Sequence, residues 1–178
     1  DVVLLTLDVE TTLNAPKDVG TAHPMHPDNE AIYLGYKYST DVGVALAIRP
    51  MPAFFKMSSI KIDFVVGCNL SFDLCYLYNA SSEYKNFLQK QRLWDIQLAE
   101  YLLSGQQDRW PSLDSMSTRY GLPVKDRKVT EYFEKGLGAD KVPHELLEEY
   151  LQQDLVNTEA IAFKQLEIVT QLGMMPLV

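Results

Sequence analysis

Apolar positions come in short unbroken runs early in this chain and at helical spacing later on. Residues 2–9 are almost wholly β-branched residues and leucine, the pattern of a strand buried on both faces. Three prolines (Pro16, Pro24, Pro27), Gly20 and several Asn and Asp residues then make residues 11–30 a loop. Residues 31–38 and 41–48 predict two strands joined by a short polar turn. The proline-bounded stretch 50–52 leads into a short helix ending by Ser59. A further buried strand occupies 62–68, with a helix over 71–78 directly after it.

The second half is mainly helical. Residues 91–94 suit a short strand, and Asp95 has the character of a helix N-cap. Residues 96–103 carry apolar residues at helical spacing until Gly105 stops them. Ser112 precedes Leu113, Met116 and Tyr120 in the same way, ending at Gly121 and Pro123. Residues 125–141 are polar and contain glycine, so they read as irregular or partly helical. Pro143 opens a long final helical region from His144 to about Leu172, with one break near Gln153. Strands that cluster early, interleaved with and followed by helices, predict a single α/β domain with a mixed β-sheet flanked by helices.

Composition narrows the function classes. At 178 residues there is room for one domain, which buries roughly 70% of the surface of its unfolded chain without needing disulfides or zinc. No apolar run approaches the ~18 residues of a membrane span, so no membrane partner is expected. The first residues lack a basic region followed by a long apolar stretch, and so carry no secretion signal in this segment. Cys68 and Cys75 lie in apolar surroundings, the usage of free thiols in a reducing compartment, which makes the cytoplasm the expected location. The net charge of −8 argues against coating duplex DNA by phosphate neutralisation alone. It is unevenly spread: residues 85–128 carry eight basic and five acidic side chains between two acidic flanks, which permits a local phosphate-binding groove.

Three short segments can carry chemistry. In Leu7-Asp8-Val9-Glu10-Thr11-Thr12, two carboxylates at i and i+2 on a strand share a face, roughly 6–7 Å apart at the backbone. They stand at the C-terminal end of a buried strand, where α/β sheets place ligands. Taken alone, such a pair equally marks a strand emerging into solvent. In Gly67-Cys68-Asn69-Leu70-Ser71-Phe72-Asp73, a strand gives way to a helix with Asp73 in its first turn, a position also favoured by the helix dipole. In Tyr150-Leu151-Gln152-Gln153-Asp154, phenol and carboxylate are i and i+4 on one helical face. Glu145, Glu148 and Glu149 read as solvated-face charge.

Together the segments offer Asp8, Glu10, Asp73 and Asp154 to one crevice. Hard oxygen donors without His or Cys select Mg²⁺ or Mn²⁺ over zinc. Four acids around two such ions suit the clamp used for phosphodiester hydrolysis. Other chemistries find no support: there is no phosphate-binding Gly-x4-Gly-Lys-Ser/Thr, and Gly136-Leu-Gly138 falls short of a dinucleotide fingerprint. His23 and His26 lie in a proline-rich loop without matching cysteines.

These segments resemble the three motifs of the DEDD superfamily of 3′→5′ exonucleases, a family with a ribonuclease H-like fold. Asp8 and Glu10 match the first motif, Asp73 in Asn-x2-Phe-Asp the second and Asp154 the third. Tyr150 in Tyr-x3-Asp, with Glu at 149 instead of His, is similar to the tyrosine subclass, so His144 is not the base. The stretches Trp94–Gly105, Trp110–Asp114 and Tyr120–Pro123 resemble proofreading domains of phage-type A-family DNA polymerases, in which a polymerase domain follows at about the place occupied here by residues 172–178.

The resemblance implies a metal-dependent exonuclease that removes nucleoside 5′-monophosphates from a DNA 3′ end, with single-stranded DNA as partner and a polymerase domain in cis or trans. It also implies roles: Asp8 bridging two ions, Glu10 and Asp154 completing one site, Asp73 acting through water on the other, and Tyr150 orienting the attacking water. Thr11, Thr12, Asn69 and Phe72 are candidates for holding the terminal nucleotide. Lys125, with Arg127 and Lys128, is a candidate for tracking phosphates, although a solvated basic loop accounts for these three equally well. The alternatives are an RNA 3′-trimming enzyme resembling ribonuclease D and a non-catalytic DNA-binding or polymerase-docking module.

Overall fold

The computed structural model describes residues 1–48, 60–124 and 126–174. The helix expected up to Ser59, Lys125 and the end of the 172–178 junction therefore lie outside the described residues.

The buried run at the start forms β1 (Leu4–Thr11), the central strand of a five-stranded sheet. On one side β1 pairs antiparallel with β2 (Ala31–Tyr38), which pairs antiparallel with β3 (Ala45–Ile48). On the other side it runs parallel to β4 (Phe64–Gly67), which runs parallel to β5 (Leu93–Asp95). The sheet order is thus β3-β2-β1-β4-β5, mixed as expected.

Helices cover both faces. After β4 come α1 (Leu70–Ala80) and α2 (Ser82–Leu88), and after β5 come α3 (Ile96–Leu103), α4 (Leu113–Arg119) and α5 (Lys128–Glu134). A 3-10 turn, Ala139–Lys141, precedes α6 (His144–Gln171). The predicted caps form: Asp95 accepts from the Gln97 N–H and Ser112 from the Ser115 N–H. Gly105 and Gly121 adopt the positive φ that ends α3 and α4.

Period-two alternation along β1 divides the core. Leu5, Leu7 and Val9 pack with Leu70, Leu74 and Leu77 of α1. Leu4, on the opposite face, packs with Ile161, Ala162 and Leu166 of α6. A third cluster sets Leu147, Leu151 and Leu155 of α6 against Ile32 and Tyr33 of β2. Asp8 and Glu10 share the parity of Leu4, so the pleat that buries the core also turns both acids toward α6.

Two expectations need correction, and one helix was not anticipated. The helix over 144–171 is continuous, with no break at Gln153: that side chain donates to Asn157 Oδ1 one turn on, and the buried Leu151 and Leu155 on either side hold the register. The strand expected over 41–48 is confined to Ala45–Ile48, because residues 41–43 form a bend. Residues 82–88 form α2, held by the buried Tyr84 and Leu88 at i and i+4. No helix among the described residues is long and apolar enough to cross a membrane.

Candidate active site

The site begins where β1 outruns its neighbour. The pairing of β1 with β4 ends at Thr6 opposite Val66, and Gly67 then turns the chain into α1. From Leu7 onward β1 has no β4 partner, so its N–H groups on that side need other acceptors. Asp73, one turn into α1, supplies one: its Oδ1 accepts the Val9 N–H at 2.8 Å in a buried bond. This contact ties the second motif to the middle of the first.

Asp8, Glu10 and Asp154 meet across the crevice. Each offers a carboxylate oxygen, and these oxygens lie within 4.8 Å of one another. Ligands on opposite sides of a Mg²⁺, Mn²⁺ or Ca²⁺ ion stand about 4–5 Å apart, so the spacing and the all-oxygen donor set fit one divalent cation. An open pocket of ≈ 250 Å³ is lined by these three residues with Phe72, Asp73 and Tyr150. All four acids and the tyrosine of the sequence motifs thus line one crevice.

Burial pushes the Asp73 carboxyl well above the usual carboxylate range, opposed by the N–H it accepts from Val9 and raised further by Asp95. A cation in the crevice would favour the ionised form instead. Cys68, also in the pocket, has its thiol pushed up by burial and by the surrounding acids, Asp95 and Asp8 foremost, which makes it a poor nucleophile.

α6 aligns its share by packing. Tyr150, Asp154 and Thr158 follow one another at i, i+4 and i+8 along the pocket. Tyr150 also meets Phe133 edge-on, with ring centroids 6.1 Å apart. On the adjacent helical face, Leu151 and Leu155 press onto Gly35, the β2 residue opposite Asp8. A Cβ at Gly35 would stand 2.6 Å from Leu155 Cδ1 and 2.9 Å from Leu151 Cγ. Only glycine allows α6 this close to the strand pair that carries Asp8.

Of the candidate nucleotide-holding residues, Phe72 lines the pocket, half-buried beside Tyr76. Asn69 is exposed at the start of α1 in a left-handed conformation, φ 54°, which asparagine tolerates. Thr11 and Thr12 turn elsewhere. The Thr11 hydroxyl donates to the Thr12 carbonyl, while that of Thr12 donates to Asn29 Oδ1 and accepts the Glu30 N–H. Both hydroxyls fasten the 12–30 loop. His144 bonds Tyr33 at the start of α6, apart from the acids.

Two positioning residues escaped the sequence reading. Gly35 carried a signal, as a lone glycine in the otherwise bulky strand AIYLGYKY. Asp95 was assigned as the cap of α3, and its carboxylate also accepts the N–H groups of Asn69 at 3.1 Å and Leu70 at 2.9 Å. One side chain therefore holds the starts of both α1 and α3.

No known protein family matches the sequence, and no curated protein matches it either. Solved structures do. Brucella melitensis NrnC superposes with a TM-score of 0.67 at 15% identity, covering 98% of this chain and 77% of that one. The fold is ribonuclease H-like. The family B DNA polymerase of the hyperthermophilic archaeon Pyrobaculum calidifontis gives a TM-score of 0.63 at 18% identity, covering 97% of this chain and 25% of the polymerase. Both likenesses concern the ribonuclease H-like architecture, and the acids described above stand on its central strand and on the two helices that flank it.

Proposed function

We propose that this domain is a metal-dependent 3′→5′ exonuclease of the DEDD type, tyrosine subclass, which hydrolyses DNA 3′ ends to nucleoside 5′-monophosphates. One observation carries the reading: Asp8, Glu10, Asp73, Tyr150 and Asp154, remote in sequence, line one crevice of a ribonuclease H-like fold. The similarity of the same fold to part of a DNA polymerase supports a nucleic-acid substrate and a proofreading role beside a polymerase domain.

Asp8, Glu10 and Asp154 would hold a divalent Mg²⁺ or Mn²⁺ ion, and Asp73 would act through water on a second. Bound there, the ions supply Lewis-acid activation of water and stabilisation of the departing 3′ oxygen. The chain's own groups do the rest. The Tyr150 hydroxyl orients the attacking water, Phe72 offers a ring to the terminal base, and Asn69 offers a side-chain amide at the mouth. Asp73, anchored on the Val9 N–H, fixes α1 against β1 so that these groups keep their places.

The test is a pair of oligonucleotides, one labelled at the 5′ end and one at the 3′ end, incubated with Mg²⁺, Mn²⁺ or EDTA. The 5′ label should move down a ladder one nucleotide at a time and the 3′ label should be released at once as a mononucleotide, both only with metal. Endonucleolytic fragments, or cleavage indifferent to EDTA, would refute the assignment. A ribose-terminated strand in parallel decides between DNA and RNA ends.

A further inference from the structure

We infer that Trp110 is a stacking platform for a base of the single strand that leads into the acidic crevice, one or more nucleotides upstream of its 3′ end. The inference rests on the nuclease reading above and adds a binding residue to it.

Trp110 is 75% exposed, whereas the other tryptophan, Trp94, is 1% exposed and donates its indole N–H to Gln165. Tryptophan is favoured at interfaces because it joins a large apolar ring to a polar N–H, and the segment that presents this one is hydrogen-bonded on both sides. After α3, Gly105 and Gln106 both adopt φ 66° and reverse the chain. The returning segment is pinned at Asp108, whose N–H bonds Ser104 Oγ and whose carboxylate meets Arg119 at 2.7 Å. It is pinned again at the buried Pro111, whose carbonyl accepts from the Gln97 side chain at 2.9 Å. Arg109 and Trp110 project from the two-residue tip between those anchors, and both are exposed.

The tip stands at the crevice end of the sheet. Gln97 follows Asp95, which caps the turn of α1 leading to Asp73. Leu113, three residues beyond Trp110, forms part of the wall of the pocket that holds the acids. Three residues span at most about 11 Å, so Trp110 lies within one or two nucleotides of that wall. The segment 85–128 is basic in an otherwise acidic chain, and Arg109 adjoins the indole. An exposed indole with a cationic neighbour in the sequence, close to the acidic crevice, suits a nucleobase and its phosphate. An apolar protein partner would find only one large apolar side chain on this tip, flanked by charge.

Intrinsic fluorescence tests this without turnover. In EDTA, oligothymidylate should quench the emission of the wild-type protein at saturation, while thymidine monophosphate, too short to reach from the pocket, should not. Trp110→Phe should leave only the buried Trp94 emission, unquenched, yet bind labelled oligothymidylate nearly as well as wild type. Trp110→Ala should weaken that binding roughly 5- to 150-fold, the span of one lost base stack, with an unchanged melting temperature. Wild-type affinity in Trp110→Ala, or emission that ignores saturating strand, would overturn the proposal. The labelled-strand cleavage assay separates the two levels: a wild type that cleaves but shows no Trp110 signal defeats only the platform. One that neither binds nor cleaves defeats the nuclease reading and the platform with it.

Discussion

Replacing Gly35 with alanine adds one methyl group at the point where helix and strand are closest. The new Cβ would lie 2.6 Å from Leu155 Cδ1 and 2.9 Å from Leu151 Cγ, and both leucines are fully buried. Carbon atoms settle at about 3.5–4.0 Å, so α6 or its side chains must retreat by roughly 1 Å. Overpacking of this kind costs ~1–3 kcal/mol, which in a domain of this size lowers the melting temperature by about 2–12 °C. Asp154 lies between the two leucines on α6 and Asp8 lies opposite Gly35 in the sheet, so the same retreat opens the acid cluster. A displacement of ~1 Å in a reacting constellation can cost about 10²-fold in rate. Cleavage by Gly35→Ala should therefore fall far more than its folded fraction at assay temperature, and Mn²⁺ affinity should fall with it. Leu155→Ala removes the nearest clashing atom, so the double variant should lose less stability than the two single losses added together. Thermal unfolding, a Mn²⁺ titration and single-turnover cleavage of all three variants make the measurement. A Gly35→Ala protein with wild-type melting temperature and full activity would show that α6 does not depend on this contact.

Asp8→Ala should abolish cleavage while leaving the fold intact, whereas Asp114→Ala, at an exposed position of α4, should cut at the wild-type rate; equal activity in a gel assay would refute the catalytic assignment. Tyr150→Phe should slow single-turnover cleavage by roughly 10²–10⁴ with metal affinity unchanged, while Asp154→Asn should weaken both, and a fully active Phe variant would reduce Tyr150 to a packing residue. Mn²⁺ at about 100 times its dissociation constant should stabilise the fold by ~2.7 kcal/mol and EDTA should reverse this; a melting temperature that responds to Zn²⁺ but to neither Mn²⁺ nor Mg²⁺ would contradict the oxygen-donor site.

The sequence pattern was most legible where one element decided its own state. The run over 2–9 reads as a buried strand because both its faces meet core, and Asp95 and Ser112 read as caps because a cap is a local hydrogen bond. α2 went unread because only Tyr84 and Leu88 of its seven residues are buried, too short a stripe to stand out from polar surroundings. Spacing gave Asp8 and Glu10 one strand face and Tyr150 and Asp154 one helix face, but that these faces meet each other and Asp73 depends on the fold. The directions of Thr11 and Thr12 were not, because they depend on Asn29 and Glu30 from the far end of the loop. Gly35 and the second role of Asp95 needed tertiary partners: α6 above β2 in one case, and β4 beside β5 in the other.

Tertiary contacts of this kind also explain how like charges stay together. Asp8, Glu10 and Asp154 repel one another when ionised, so the frame around them has to hold them at one point. The forces that do so act on the backbone. Continued antiparallel pairing with β2 carries Asp8 and Glu10 past the end of β4, the Val9 N–H anchors α1 through Asp73, and contact between Gly35 and two buried leucines sets the height of α6. Each fully buried leucine contributes ~1.5–3 kcal/mol, so the packing of α6 onto β2 can outweigh the partly solvated repulsion it enforces. Removing Asp8 or Glu10 relieves repulsion and should cost activity without costing stability, whereas disturbing Gly35, Asp73 or Asp95 moves the frame and should cost both. That difference separates the residues that react from those that hold them in place.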